Sequence, residues 1–241
     1  MTTAIDERIN REITHGGNPK AVAQAEYGWA SAAGQVRRAR RIEFLAHNLP
    51  KEAKILEVGA GTGIQTAELL KNHHDITGID ISPDLLAIAR KRAATATYAV
   101  MDAHSPAFEP ESFDAILGVS ILHHLEWERA LTSYFSLLRS GGTIRFSEPN
   151  LLNPQIFLQK NIPWLKQLAG DSPDEYAFTK WQIEGCLRKI GFSNITVRPF
   201  EFLHPATPER FIPLVQKLEG TLHKTPFAHF AGSLLIEAYK E

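Results

Sequence analysis

Three glycines at alternate positions follow a run of apolar residues and give the strongest chemical signal in the sequence. The segment reads ILEVGAGTG and contains Gly59, Gly61 and Gly63. Glycine permits positive φ and has no Cβ, so the chain can turn tightly and a ligand can lie against its backbone. The free amides at the start of a following helix would then face that ligand. We interpret the segment as a strand, a ligand-binding turn and a helix, in preference to a flexible loop.

The spacing of the glycines discriminates between nucleotide ligands. The dinucleotide fingerprint G-x-G-x-x-G requires a third glycine, but this chain has Ile64 when counted from Gly59 and Thr66 when counted from Gly61. A phosphate-binding P-loop is excluded because no Gly-Lys-Ser/Thr follows. The spacing therefore disfavours an NAD-dependent oxidoreductase and suits a cofactor with an uncharged linker and an amino-acid tail.

Two carboxylates come at the ends of the next two apolar runs. Asp80 closes the run ITGID, and Asp102 directly follows the run TYAVM. A carboxylate at the end of the second strand can accept hydrogen bonds from both ribose hydroxyls of a nucleotide. Asp102 could accept from an adenine amino group, with Ala103 leaving room for the ring. A helix cap or turn residue is the alternative interpretation for each aspartate.

Short apolar runs alternate with helix-length amphipathic segments, which is typical of a parallel sheet covered on both faces. We predict strands at 54–59, 76–80, 97–101, 113–119 and 143–148, with helices at 34–48, 63–71, 83–93, 127–138 and 179–190. The chain break Arg139-Ser140-Gly141-Gly142 should precede the fifth strand, and Gly191 should stop the last of these helices. Two later runs, 195–202 and 233–239, are joined by a helical excursion over 209–223 and could pair antiparallel at the sheet edge. The fold class is α/β, with a doubly wound, mostly parallel seven-stranded sheet, an antiparallel C-terminal edge strand and helices on both faces.

The ordered motifs ILEVGAGTG, ITGIDIS, AVMDAHSPAF, FDAILGVSILHHL and LLRSGGTIRFSEPN resemble those of class I methyltransferases that depend on S-adenosyl-L-methionine (SAM). The resemblance covers about residues 50–150. It implies an enzyme that binds SAM and releases S-adenosyl-L-homocysteine (SAH). By residue, it implies that the glycine turn with Ala60 contacts the methionine end and that Glu57 orients the turn and the amino group. It further implies that Asp80 binds the ribose and that Ile81, Asp102 and Ala103 contact the adenine. Val119 and Ser120 would lie beside the donor.

Transfer of a methyl group from SAM requires mainly alignment of the acceptor and exclusion of water, because the sulfonium is already activated. A hydroxyl acceptor also benefits from a general base. His123 and His124 follow the fourth strand, where the sheet edge places ligands, and a histidine there titrates near neutrality. We regard His123 as the candidate base. The alternative is that it lies at the start of a helix, or supports the site through a hydrogen bond, without acting as a base. No carboxylate–histidine cluster has metal-ligand spacing on one element, so no metal is expected.

The segments outside the SAM core are expected to shape the acceptor site. We expect one domain over 1–241, with an N-terminal helical cap at 1–49 and a SAM-binding core at 50–148. An insertion over the acceptor site at 149–178 and a segment completing the sheet at 179–241 would follow. The candidate acceptor-binding residues are Tyr27, Trp29, His124, Asn150 and Trp164. Further aromatic residues, including Phe157 and Tyr176, predict a partly apolar, aromatic lining with a few polar groups.

The bulk composition favours a small-molecule acceptor. The 241 residues have a net charge of −1, which does not suggest binding to nucleic acid or to an anionic membrane. The basic cluster Arg37, Arg38, Arg40 and Arg41 is interpreted as a solvated helix face. Cys186, the single cysteine, reads as core filler. It cannot form an intrachain disulfide, and no signal peptide or membrane span is evident, so we expect the protein to be cytoplasmic. We expect it to be a monomer or a homodimer. An RNA or protein methyltransferase, or a catalytically silent SAM-binding subunit, remains the alternative.

Overall fold

A computed structural model of the protein describes residues 28–73, 75–168 and 175–241. The strands are β1 (Lys54–Val58), β2 (Asp75–Asp80), β3 (Thr97–Val100), β4 (Phe113–Val119), β5 (Leu138–Pro149), β6 (Ser193–Phe200) and β7 (Ser233–Tyr239). They form one sheet in the order β3-β2-β1-β4-β5-β7-β6. The first five strands are parallel to one another, whereas β7 runs antiparallel to both β5 and β6. The predicted fold class is confirmed, including antiparallel pairing at the C-terminal edge, where β6 is the outermost strand.

Eight α-helices lie wholly within the described parts of the chain. They are α1 (Ala32–Ala46), α2 (Ile64–Leu69), α3 (Pro83–Arg92), α4 (Trp127–Leu137), α5 (Pro154–Asn161), α6 (Pro163–Leu168), α7 (Lys180–Ile190) and α8 (Ile212–Leu222). Short 3₁₀ turns occupy Leu122–His124, Glu209–Phe211 and Pro226–Phe230. Among the residues described, no helix combines the length and apolar character needed to span a membrane.

Local sequence signals explain where two helices begin and end. Ser82 caps α3, and Pro83 is its first residue, which agrees with the helix predicted at 83–93. Helix α7 begins with a capping box between Thr179 and Gln182 and ends at Gly191, which has φ +112°. These turns set the points at which the chain leaves and re-enters the sheet.

One predicted chain break is wrong. Residues 139–142 continue β5 instead of preceding it, because β5 already pairs with Phe113 of β4 at Leu138. The irregularity expected from the two glycines appears as a register shift between Phe113 and Ala115, with φ +79° at Gly141. An irregularity within the strand therefore takes up the residues that we expected to form a loop.

Alternate residues of the central strands bury opposite faces of the sheet. On one face, Leu56 and Ile116 pack with Tyr134 of α4 and Leu187 of α7. On the other face, the buried cluster contains Ile55 of β1, Leu45 of α1 and Leu69 of α2. Because both faces are covered, the polar carboxyl ends of the parallel strands are left to form a site at one edge.

Candidate active site at the carboxyl edge of the sheet

The predicted glycine turn has the left-handed backbone that its residues permit. The φ angles are +71° at Gly59, +53° at Gly61 and +75° at Gly63. The amides of Gly59 and Ala60 both donate to the carbonyl of Ile79 on β2 at 2.9 Å. A Cβ atom on Gly61 would meet no heavy atom nearer than 4.0 Å. The turn is therefore held against β2, and open space lies beside Gly61.

Gly63 has a separate, packing role. It caps α2, and a Cβ atom at this position would lie 2.9 Å from the Cα and Cβ atoms of Ala89 on α3. Only a residue without a side chain allows the start of α2 to approach α3 this closely.

Glu57 lies on β1 just before the turn and is 4% exposed. Its Oε2 atom accepts a hydrogen bond from Oγ1 of Thr66 on α2 at 2.6 Å. Burial raises the pKa of Glu57 to about 7, although the Thr66 hydroxyl opposes the shift. The carboxyl group thus fastens the strand to the helix on either side of the glycine turn.

Asp80 ends β2, and its carboxylate joins the glycine turn to the start of α3. Oδ2 accepts from the amide of Gly61 and Oδ1 from the amide of Ser82, both at 2.9 Å. Burial raises the pKa of Asp80, while these two amides act in the opposite direction. Each oxygen retains a lone pair that can accept from a ribose hydroxyl. Ile81, the next residue, is half-buried at the same edge.

Asp102 follows β3 and forms a compact pair with His104. Its Oδ1 atom lies 2.6 Å from Nδ1 of His104 and 2.9 Å from the amide of the same residue. Burial alone would raise the pKa of Asp102, but the hydrogen bonds from His104 outweigh it and the pKa is lowered. Ala103, between them, is buried, and its carbonyl accepts from the hydroxyl of Tyr134 at 2.7 Å. Asp102 therefore presents an ionised, half-exposed carboxylate at the edge.

The end of β4 comes next to the glycine turn, because β4 is the neighbour of β1. Val119 is the last residue of β4, and Ser120 follows with φ +55° and donates its amide to the carbonyl of Ser147 at 2.8 Å. The side chain of Ile121 would lie 2.8 Å from a Cβ atom on Gly59. The ends of β1, β2, β3 and β4 thus bring all the residues predicted to bind cofactor to one edge, where the strand order reverses.

His123 is held by a buried carboxylate that the sequence analysis did not identify. Glu148, at the end of β5, is 1% exposed, and its Oε2 atom lies 2.8 Å from Nδ1 of His123. Its Oε1 atom accepts from the amides of Ile121 and Leu122 at 2.9 Å each. The sequence signal that could have identified Glu148 was its position in the motif SEPN, at the end of a predicted strand.

The other side of His123 faces a cluster of ionisable groups. Nε2 of His123 lies 3.9 Å from Oε2 of Glu175, and Nδ1 of His124 lies 3.7 Å from Oε1. One donor atom from each of these three residues lies within 4.8 Å of the others, a spacing compatible with a cation. Nζ of Lys160 lies 2.8 Å from Oε2 of Glu175. The lysine ammonium therefore already neutralises the carboxylate that a metal ion would need.

The interpretation of the basic cluster on α1 as a solvated face is wrong for three of its four arginines. Arg41 is 3% exposed, with Nη1 2.5 Å from Oε2 of the buried Glu201. Arg37 lies 2.7 Å from the same oxygen, and Arg40 lies 2.8 Å from the buried Glu219. The helical spacing of these arginines does not reveal that carboxylates distant in the sequence pair with them. For this reason the sequence alone suggested a solvated helix face.

A cavity of about 270 Å³ lies between these groups and the end of β4. Its walls include Trp29 and two arginines of α1, together with Ser120 and His123. The described residues that line it are Trp29, Arg37, Arg41, Ser120, His123, Pro149, Ile156, Gln159, Lys160, Glu175, Gly232 and Ser233. The predicted aromatic lining is wrong for this cavity, whose walls are mostly charged and polar.

The candidate acceptor residues are distributed unevenly around the cavity. Trp29 lines it, and His124 contacts Glu175 at its edge. Asn150 is 1% exposed and donates its amide to the carbonyls of His229 and Ala231, so it orders the chain after β5. Trp164 on α6 is 65% exposed and is not in the lining. Tyr27 lies outside the described residues.

Comparison with known proteins agrees with this geometry. A family model described as a methyltransferase domain matches residues 56–146. Demethylmenaquinone methyltransferase of Tropheryma whipplei is 32% identical over 168 residues, covering 62% of this chain and 70% of that protein. Aklanonic acid methyltransferase of a Streptomyces species is 33% identical over 150 residues, covering 57% and 66%. Phosphoethanolamine N-methyltransferase 2 of Haemonchus contortus, solved with SAM, superposes with a TM-score of 0.69 at 20% identity, covering 92% of this chain and 57% of that one.

The fold and the edge site define a doubly wound α/β transferase. The chain belongs to the class I SAM-dependent methyltransferases. It is accordingly an enzyme that uses SAM as its methyl donor.

The residues present fit this donor. The space beside Gly61 would be filled by any side chain at that position, and the neighbouring amides and the Asp80 carboxylate border it. No lysine or arginine follows the turn where a pyrophosphate would require one. The turn therefore suits the amino-acid end of SAM, and Asp80 its sugar.

Proposed function

We propose that this methyltransferase modifies a small-molecule acceptor bound in the cavity beside Ser120 and His123. The observation that carries the proposal is His123 in the cavity wall, with its Nδ1 atom 2.8 Å from Oε2 of the buried Glu148. The two relatives named above carry small-molecule acceptors in their names, demethylmenaquinone and aklanonic acid, which supports the same class here.

The residues of the edge would hold the donor in a fixed position. Gly59, Gly61 and Gly63 would border its methionine end, Asp80 would accept from the ribose, and Asp102 with Ala103 would contact the adenine. When bound, SAM supplies a methyl group on a positively charged sulfur, which needs no further activation by the protein. Alignment of the acceptor and exclusion of water are then the main contributions of the chain.

His123 is placed to remove the acceptor proton. An ionised carboxylate only accepts hydrogen bonds, so Glu148 holds the ring proton on Nδ1 and leaves Nε2 as the acceptor. Burial, together with the charge of His124, lowers the pKa of His123, so the ring is neutral at pH 7. A neutral imidazole with a free Nε2 can take a proton from a hydroxyl as the methyl group is transferred.

Labelled SAM provides the test, with panels of small metabolites, bulk RNA and protein extracts as acceptors. We expect label in a small molecule and none in RNA or protein. His123→Ala should then reduce turnover by about 10²-fold or more, with SAH affinity measured by calorimetry unchanged. His47→Ala, at an exposed histidine outside this cavity, serves as the control. Label found only in macromolecules would overturn the small-molecule proposal, and normal turnover by His123→Ala would reject the base.

A further inference from the structure

The charged network of α1 extends into the acceptor cavity, and we propose that it binds an oxyanion group of the acceptor, a carboxylate or a phosphate. Arg37 and Arg41 are one helical turn apart and line the same cavity as His123. This inference rests on the proposed function and specifies the acceptor as a small acid. The acidic group would dock on the arginines and present the rest of the molecule to His123.

The charges around these arginines do not balance. Arg37, Arg40 and Arg41 share the carboxylates of Glu201 and Glu219, at 2.5 to 2.8 Å for the closest atom pairs. Within the described residues, no third carboxylate pairs with these guanidinium groups, so one positive charge is left over. The side chains of Arg37 and Arg40 are 18% and 26% exposed, so the surplus charge is only partly solvated, and an anionic ligand would compensate it.

The ion pair formed by two other residues of the cavity lining does not supply the missing charge. Lys160 and Glu175 form their own ion pair at 2.8 Å, each side chain being 6–7% exposed. Glu148, the other buried carboxylate nearby, accepts hydrogen bonds from His123 and two backbone amides. The excess charge is therefore local to the α1 side.

Arg41 is fixed in orientation by its surroundings. Nε donates to Oγ of Ser147 at 3.1 Å, Nη2 to Oγ of Ser233 at 2.9 Å, and Nη1 to Glu201. Burial lowers the pKa of Arg41, and Glu201 opposes the shift. A second proton on Nη2 remains available to a ligand.

Arg37 is the principal donor. Its Nε atom is bonded to Glu201, and among the described residues nothing accepts from its two Nη atoms. Its guanidinium carbon lies 5.8 Å from the ring centre of Trp29, which gives the cavity a flat wall beside the donors. Planar guanidinium donors of this kind recognise carboxylate and phosphate oxygens through paired hydrogen bonds.

The test measures binding of simple acids to the full-length protein saturated with SAH. The probes are benzoate for the carboxylate and phenyl phosphate for the phosphate, and benzamide is the uncharged match. We expect one of the two acids to bind about tenfold or more tightly than benzamide. Arg37→Gln should abolish this preference, whereas Arg38→Gln, on the same helix but outside the cavity lining, should retain it.

The outcomes separate this inference from the proposed function. Equal affinities for acid and amide, undetectable binding of both acids, or an unchanged preference in Arg37→Gln would each overturn the oxyanion site. SAH binding by every variant reports that the fold and donor site are intact. If the labelled-SAM screen then yields a neutral methylated product, the small-molecule proposal stands and only the acidic acceptor is rejected.

Discussion

Nδ1 of His123 lies 2.8 Å from Oε2 of Glu148, and the second oxygen of the same carboxylate is bonded to two backbone amides. The carboxylate therefore cannot rotate away without breaking three hydrogen bonds. The ring is held in one tautomer and one orientation, which a base at a reaction site requires. This relationship makes Glu148 a positioning residue for His123.

Glu148→Gln should lower the pKa of His123 further. Burial and the charge of His124 lower this pKa, and the hydrogen bond and charge of Glu148 oppose them. Removing the negative charge removes the opposing effect, so the ring loses its proton at a lower pH. Nuclear magnetic resonance titration of labelled histidine measures the pKa and the tautomer without needing an acceptor. Glu184→Gln, at a residue paired with Arg188 on α7, is the control. An unchanged pKa and tautomer in Glu148→Gln would contradict the positioning role.

Gly61→Ala should weaken SAH binding by about tenfold or more while the protein still folds. The residue has φ +53°, and a methyl group would enter the open space assigned to the donor. Gly141→Ala is the matched control, because Gly141 has φ +79° and also has no neighbour within 4 Å. Both variants should lose a similar stability of about 1–2 kcal/mol from the left-handed backbone. Equal SAH affinities for the two variants would show that the donor does not lie against Gly61.

Glu57 should make the protein less stable as pH rises toward neutrality. Its pKa is about 7 in the folded chain, against 4.5 for a free glutamate, because burial penalises the charge. The folded state therefore holds a proton that the unfolded state releases, and the contribution is complete below pH 4.5 and lost through pH 7. Denaturant unfolding gives the free energy of unfolding at pH 5 and at pH 8. Between these pH values it should fall by up to about 3 kcal/mol more in the wild type than in Glu57→Gln. Parallel pH curves for the two proteins would mean that Glu57 is already ionised in the fold.

Residues near the glycine turn could be predicted because their positions follow from strand order. Gly59, Asp80 and Asp102 each end an apolar run, and parallel strands end at one edge of a sheet. The sequence patterns also predicted the start of α3 at Pro83 and the end of α7 at Gly191 correctly. These features depend on local backbone geometry, which residue types specify directly.

The cavity beside His123 could not be predicted, because its contacts join distant parts of the chain. Arg41 meets Glu201, and His123 meets Glu148 and Glu175, across irregular segments that carry no periodic signal. Aromatic residues in such segments suggest a pocket lining, yet Phe157 is 51% exposed and the ring of Tyr176 packs on Phe178. Which side chains a loop directs inward depends on packing that composition does not encode.

Glu201→Gln should destabilise the protein by about 3 kcal/mol or more, because it leaves the buried guanidinium of Arg41 without its nearest countercharge. The amide is similar in shape, so the loss measures charge more than volume. Glu68→Gln, which removes an exposed pair with Lys71, should cost less than about 1 kcal/mol and is the control. The double variant Arg41→Met with Glu201→Met should recover much of the loss, since apolar residues can replace a buried pair. Urea unfolding of the four proteins gives these values. If Glu201→Gln loses no more stability than the control, water reaches Arg41 in solution and screens its ion pair with Glu201.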